Sequence, residues 1–326
     1  MRLASYRSEG RARVGVVHAD GSISAVGDLN GAPAGMIDVI ESWDELRPAL
    51  AGAGSAAPAG SAAVDHVAAL DAENRWLPPV PRPSKMLGVA LNNKALAALT
   101  LEASPHPALF SYPPSALTGH HQPIELRADY GLTHPEPELG VVIGKRCKHV
   151  SVENALDVVF GYTIVDDITS PTLKSGDTMV IPRSRAEGIG AAQPEDGSPP
   201  PGFEHGDLQL TYHARSKGSD TFAPCGPWIV TADEIPAPNS LAVSLSIGDE
   251  LCTEDNTGHL MFSVPEVIAH ASSYFTLEPG DIIHVGSAAR GKYRLRDIDY
   301  QERLDAVRTI EIEGIGALVN QIRRTA

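Results

Sequence analysis

The sequence predicts a mainly β protein of the α+β class. Three observations lead there: many short apolar runs of strand length, 30 glycines and 26 prolines scattered through 326 residues as turn punctuation rather than as a repeat, and few segments with helical spacing. Residues 2–6 and 12–18 are short apolar runs, and Asp20-Gly21 is a turn dipeptide ahead of the alternating SISAV, so the chain opens on a hairpin-based module. Apolar residues recur at helical intervals from Ile37 to Leu50, which places one helix there. The small-residue stretch AGAGSAAPAGSAA has no periodicity and reads as an exposed linker ending near Asp65. The chain is therefore expected to divide into a small N-terminal β-rich domain with its linker, residues 1–75, and a larger domain, residues 76–326.

The larger domain enters through the stiff PPVPRPSK, and MLGVAL after it is a buried-strand candidate. Residues 92–103 hold good helix formers behind an Asn cap, and the proline-rich HPALFSYPPSALTG that follows is expected to be irregular or extended. Further strands are predicted at 139–144, 158–165, 208–214, 227–232, 241–248, 281–286 and 309–316, with helices near 152–156 and 264–274. Between 172 and 215 the chain is rich in Pro and Gly and reads as a long surface loop, a length usually kept for a functional lid.

Composition narrows the function. The formal net charge of −15 argues against nucleic acid and anionic membrane as partners, since both need a cationic footprint. Cys147, Cys225 and Cys252 are far apart and lack any CxxC spacing, which points to a reducing, cytoplasmic setting without a disulfide scaffold or thiolate zinc site. Charged residues interrupt the first residues before any signal-peptide core, and no run reaches the ~18 apolar residues that span a bilayer.

The sharpest chemical constellation is Glu136-Pro137-Glu138 running into LGVVIG. Residues i and i+2 of a strand share a face, so the two carboxylates point the same way and repel each other unless a cation sits between them. Asp166-Asp167, at the end of VVFGYTIV, supplies a third oxygen ligand from a neighbouring strand. Carboxylates without thiolates favour Mg²⁺, Mn²⁺ or Ca²⁺ over zinc. From spacing alone the plainer alternative stands: solvated strand ends paired with lysine or arginine. Lys217 reads by spacing as a surface lysine, and the small-residue loop after DIIHVGS offers backbone N–H groups to an anion.

Six motifs then occur in one order: PSKMLGVALN (83–92), EPELGVVIGKR (136–146), ALDVVFGYTIVDDIT (155–169), KGSDTFAPCGPW (217–228), DNTGHLMFSVPEVIAHASSYFTLEPGDIIHVGS (255–287) and IEGIGALVN (312–320). In this the chain resembles the fumarylacetoacetate hydrolase family over residues 83–320, the 172–215 segment apart. The resemblance implies a mixed β-sandwich roll, a homodimer, and a divalent metal held by Glu136, Glu138 and Asp167. It implies that Lys217 helps hold a substrate carboxylate or enolate and that Ser287 stands where the family has the second threonine of a Thr-Gly-Thr loop. The implied substrate is a small 2-oxo or 1,3-dioxo acid chelating the metal, with the cation polarising a carbonyl when a C–C bond breaks or a proton moves.

The chain also departs from the family. Where hydrolytic members carry a tyrosine and a His–Glu pair that activates water, it has Asn93, Leu96 and Leu99, and no leucine takes a proton. The family arginine after the metal aspartate falls on Pro171, and its usual Asn is Asp166, which makes the local field more negative. His121 is the first candidate for a replacement base, with His106 behind it; His134 is expected to support the glutamates from behind or to add a further ligand, and Tyr112 to shape the pocket. The expected function is C–C bond hydrolysis of the acylpyruvate type. The alternative is isomerase, decarboxylase, dehydratase or cyclase chemistry at the same metal, and a non-catalytic binding protein is the third reading.

Overall fold

The long apolar runs of the larger domain become the middle of one broad sheet. The computed structural model describes residues 1–28, 35–51, 65–100, 102–191, 194–200 and 202–326. Its large sheet has eleven strands. Ten form a path: Asp65–His66, Ser22–Ala25, Arg11–Val17, Arg2–Ser8, Ala223–Thr231, Val159–Asp166, Pro137–Ile143, Ile282–Ser287, Met86–Ala90 and Ala108–Tyr112. Ile282–Ser287 and Met86–Ala90 run parallel, while the pairs Val159–Asp166 with Pro137–Ile143 and with Ala223–Thr231 are antiparallel. A second, five-stranded sheet runs Glu250–Asn256, Ala242–Ile247, Val307–Ile312, Gly316–Thr325 and Ile124–Arg127.

Every residue of Pro137–Ile143 is buried, because both faces of that strand are covered. Its odd face, Leu139, Val141 and Ile143, joins Tyr162 and Ile164 in packing against Leu245, Ile310, Leu318 and Ile322 of the second sheet. Its even face carries Val142 into a core shared with Leu3, Val14, Val39 and Ile40 of the N-terminal region. This is the mainly β, α+β architecture that the sequence predicts.

Several elements differ from expectation. The helix expected over 37–50 is two helices, Met36–Glu41 and Trp43–Ala51, separated at Ser42. The helix expected over 92–103 contracts to Lys94–Ala97. Asn93, not Asn92, caps it, accepting a bond from the Ala95 N–H at 2.9 Å, while the Asn92 amide donates to the Val285 carbonyl at 2.6 Å. Residues 152–158 form a 3₁₀ helix. The 172–215 segment is no plain loop: a helix, Pro171–Gly176, leads into a hairpin of Thr178–Ile181 with Leu208–Thr211. Three strands unforeseen in the sequence, Ile124–Arg127, Glu250–Asn256 and most of Gly316–Thr325, complete the second sheet. The N-terminal hairpin hydrogen-bonds onto Ala223–Thr231 through Arg2 and Leu3, so it continues the large sheet. Most of the expected linker, residues 52–64, lies outside the described residues. No described helix is long and apolar enough to cross a membrane.

Candidate metal centre and active site

Strand alternation sets the site. On Pro137–Ile143 the even positions face away from the second sheet, so Glu138, and Glu136 just before it, share the face opposite Leu139. On the neighbouring Val159–Asp166 strand Asp166 falls on the side of Ile164, facing the second sheet, and Asp167 on the other. The backbone holds the two strand ends in register: the Asp167 N–H donates to the Glu136 carbonyl at 2.9 Å, and His134 and Thr169 exchange bonds at 2.9 and 3.0 Å. An irregularity between His284 and Ser287 sets Ser287 opposite Glu138. Gly286 within it has φ +115°, and a Cβ there would lie 2.7 Å from the Asn92 Cβ, so the turn needs glycine.

Glu138 and Asp167 are each 1% exposed, and Lys217 is 8% exposed. The Lys217 ammonium, on the short helix Ala214–Gly218, donates to Asp167 Oδ2 at 2.6 Å, to Thr169 Oγ1 at 2.7 Å and to Glu136 Oε2 at 3.2 Å. Thr169 in turn donates to Glu136 Oε1 at 3.1 Å. Glu138 Oε2 accepts from the Gly286 N–H and from His284 Nδ1, both at 2.7 Å. The Tyr112 hydroxyl donates to Asp167 Oδ1. Ser287 Oγ lies 3.0 Å from Glu136 Oε2 and 2.9 Å from Glu138 Oε1.

That last contact tests whether a cation fits. One hydroxyl proton cannot satisfy two carboxylates at once, and among the described residues the three carboxylates have only the Lys217 ammonium and the His284 ring to set against their charge. A buried excess of negative charge built from oxygen donors is the environment of a hard divalent cation. Glu136, Glu138 and Asp167 suit such an ion. Burial alone would raise the Glu136 carboxyl, but Lys217 and His134 hold it down at about 2. Burial works against the charge on Lys217, yet Asp167 and Glu136 outweigh it and raise its pKa, so it stays an ammonium.

A cavity of about 660 Å³ opens onto this centre, lined by Glu136, His134, Leu91, Leu96, Leu99, Arg294 and Arg296 among others. Leu96 and Leu99, which stand where the resemblance puts a His–Glu pair, thus form an apolar wall of the cavity that holds Glu136. His134 is brought in, its ring 3.8 Å from Glu136 Oε1. Burial pushes its pKa down.

The structure does not bring His121 to this centre. Its backbone is left-handed at φ +58°, and its Nε2 lies 3.4 Å from Asp71 Oδ1 with the ring against His120. His106 is stacked on His270. Asp71, His120 and His121 form a second cluster of ligand-type residues, but His120 Nδ1 accepts from the Val319 N–H at 2.9 Å. That leaves the proton on Nε2, which removes the lone pair a metal would need there. Asp166 corrects the expectation of a more negative local field. It pairs with Arg308 at 2.7 Å and accepts from the Tyr300 hydroxyl at 3.1 Å, both fully buried with it.

The sequence reading missed Thr169, His284 and the role of Tyr112 at Asp167. His284 lies inside a strand whose every residue is buried, and its Nε2 has no partner among the described residues. An imidazole inside an apolar strand must meet an acid or an aromatic, and that signal was present in DIIHVGS. Room for its ring comes from Gly88, where a Cβ would lie 2.4 Å from His284 Cε1.

Comparisons with known proteins agree with this geometry. Residues 85–323 match the family model described as fumarylacetoacetate (FAA) hydrolase C-terminal. The crystal structure of maleylpyruvate hydrolase from Sphingobium sp. SYK-6, in complex with manganese(II) ion and pyruvate, is 28% identical, with all of both chains covered and a TM-score of 0.71. The 2,4-didehydro-3-deoxy-L-rhamnonate hydrolase of a Sphingomonas species is 28% identical over 288 residues, 88% of this chain and 84% of that one. The crystal structure of 2-hydroxyhepta-2,4-diene-1,7-dioate isomerase from Mycobacterium marinum is 25% identical, covering 100% of this chain and 99% of the other, with a TM-score of 0.63.

Proposed function

The chain belongs to the fumarylacetoacetate hydrolase family, and on that premise we propose that it is a divalent-metal-dependent enzyme that hydrolyses a C–C bond of a 2-oxo or 1,3-dioxo acid. One observation carries the reading: Glu136, Glu138 and Asp167 converge with Lys217 and Ser287 where a cavity reaches Glu136. Mg²⁺, Mn²⁺ or Ca²⁺ held by the three carboxylates supplies a Lewis acid for the substrate carbonyl. Lys217, kept charged by its carboxylate neighbours, offers N–H donors to an oxygen on which negative charge develops. Thr169 fixes that ammonium and Ser287 orients the two glutamates. Leu91, Leu96 and Leu99 offer the hydrocarbon part of the substrate an apolar surface. Hydrolase relatives that match the chain over most of its length support this reading.

A second reading, proton transfer or decarboxylation without water, is favoured by Leu96 and Leu99, which leave the family's water-activating positions without a base. Acylpyruvates and oxaloacetate incubated with metal-loaded protein in ¹⁸O-water separate the two. Hydrolysis yields two acid fragments, one carrying label in its new carboxylate, and stops with chelator. A tautomer or decarboxylated product with no label in a carboxylate establishes the second reading, and binding without turnover for any metal leaves only a binding protein. The expected homodimer goes with either enzymatic reading and is tested by sedimentation of the purified chain.

A further inference from the structure

We propose that Asp255 is a positioning residue for the cavity: its buried carboxylate clamps the two walls together and so fits them to the hydrocarbon part of the substrate. The clamp stands on geometry, and its consequence for substrate choice rests on the 2-oxo acid chemistry proposed for the centre. One wall is the helix Lys94–Ala97 with its flanks, which bring Leu91, Leu96 and Leu99 to the cavity; the other is the segment after Ser287, which brings Ala289, Leu295 and Arg296. Both walls are tied to Asp255, whose side chain is fully buried near the end of the strand Glu250–Asn256. Oδ2 accepts from the Asn93 amide at 3.0 Å, from the Ala289 N–H at 2.8 Å and from the Arg290 N–H at 3.2 Å. Oδ1 accepts from His259 Nδ1 at 2.6 Å and from the Asn256 N–H at 2.8 Å.

The residues on either side complete the clamp. Asn93 is 1% exposed and stands where hydrolytic members of the family carry a tyrosine. Its Oδ1 caps the helix at the Ala95 N–H, and its amide donates to the Ser287 carbonyl at 3.0 Å as well as to Asp255. One side chain thus fixes the start of the leucine wall to both Asp255 and the Ser287 turn. On the opposite wall the backbone lies against the strand that carries Asp255. The Arg290 carbonyl accepts from the Glu254 N–H at 3.0 Å, and Gly291 has φ +143°, where a Cβ would lie 2.5 Å from the Thr253 Cα. The Arg290 guanidinium lies 3.3 Å from His259 Nε2, which closes a ring through His259 back to Asp255. All five groups on the Asp255 oxygens are donors, so an amide in its place must turn an N–H toward at least one of them. If the carboxylate served the second sheet alone, replacing it would leave substrate choice untouched.

Hydrogen exchange on the metal-free protein tests the clamp, and calorimetry on Mn²⁺-loaded protein with pyruvate and 2-oxohexanoate tests its consequence. In Asp255→Asn the amides of residues 94–99 and of residues 289–297 should together exchange about tenfold or more faster, with those of Pro137–Ile143 unchanged. The unaltered protein should bind 2-oxohexanoate about tenfold or more tighter than pyruvate, through the added methylenes alone. The variant should lose most of that preference while its affinity for pyruvate holds to within about threefold. Asn93→Ser keeps a hydroxyl to cap the helix but drops the amide given to Asp255; it should move both readouts in the same direction, and it decides the matter if Asp255→Asn does not fold. Faster exchange on one wall only overturns the clamp. Both walls loosened with the preference intact, or an equal loss for the two ligands, overturns the role in substrate choice. Failure of pyruvate to bind the unaltered protein sinks the reading of the centre instead, and the exchange result then decides the clamp by itself.

Discussion

Asp166 and Asp167 are neighbours in sequence and both buried, yet they sit in opposite kinds of surroundings. Asp166 faces the second sheet, where Arg308 neutralises it at 2.7 Å; Arg308 also donates to the Tyr300 hydroxyl at 2.7 Å and to Asn320 Oδ1 at 3.0 Å. Asp167 faces the other way, where it, Glu136 and Glu138 have the Lys217 ammonium and the His284 ring as their cationic partners among the described residues, the other donors being the Ser287, Thr169 and Tyr112 hydroxyls and the Gly286 N–H. The first arrangement balances its charge, and its described link to the centre is the Glu136 N–H, which donates to Asp166 Oδ1 at 2.8 Å. The second keeps an excess of negative charge that only a ligand removes. The difference teaches that burial and acidity alone do not mark a functional carboxylate; uncompensated charge does.

The largest effect expected from this contrast concerns metal. Asp167→Asn should weaken Mn²⁺ binding by about 10³-fold, beyond the 10–100-fold cost usual for residues behind the ligands, whereas Asp166→Asn should leave it within about threefold; equilibrium dialysis reads both. Next comes the buried Asp166–Arg308 pair. Arg308→Met leaves Asp166 buried without its partner and should cost about 3–5 kcal/mol in urea unfolding, most of it recovered in the Arg308→Met/Asp166→Leu double variant. If the double variant is as unstable as the single one, the buried Asp166–Arg308 pair does not carry the stability assigned to it. Lys217→Met should lower kcat by about 10²-fold while metal affinity holds or rises, because a competing cation has left the carboxylates.

The smallest effect tests a site that resembles the metal centre in composition only. Burial and neighbouring His121 push His120 down to about 3, so the folded chain holds it neutral. Its unfolded form protonates near 6.5, so the unfolded state binds more protons between those values. Stability from this group is full above pH 6.5 and is lost as pH falls toward 3, about 1 kcal/mol of it between pH 7 and 5.5. His120→Asn, whose Oδ1 can still accept from Val319, should remove that part of the acid sensitivity in pH-dependent melting curves.

Much of the centre was legible in the sequence because its signals are local. Period-two alternation puts Glu136 and Glu138 on one face, and the ordered motifs carry Asp167, Lys217 and Ser287. What was hidden depends on partners distant in sequence. Tyr300 meets Asp166 across 134 positions, and nothing near Asp166 announces it. His121 looked free in LTGHHQPI because its place beside Asp71 comes from docking the N-terminal region onto the large sheet. The hairpin after Pro171–Gly176 was obscured by the proline- and glycine-rich stretch between its two short strands. The fold class needed only the count of short apolar runs, and it was the easier prediction.

The account stands or falls on where a cation sits. Crystals soaked in Mn²⁺ and measured for anomalous scattering test it most directly. The account predicts one strong site per chain within coordination distance of Glu136, Glu138 and Asp167 oxygens, absent in Asp167→Asn. Manganese found elsewhere, or no ordered manganese while Lys217 stays bound to both Glu136 and Asp167, would contradict it.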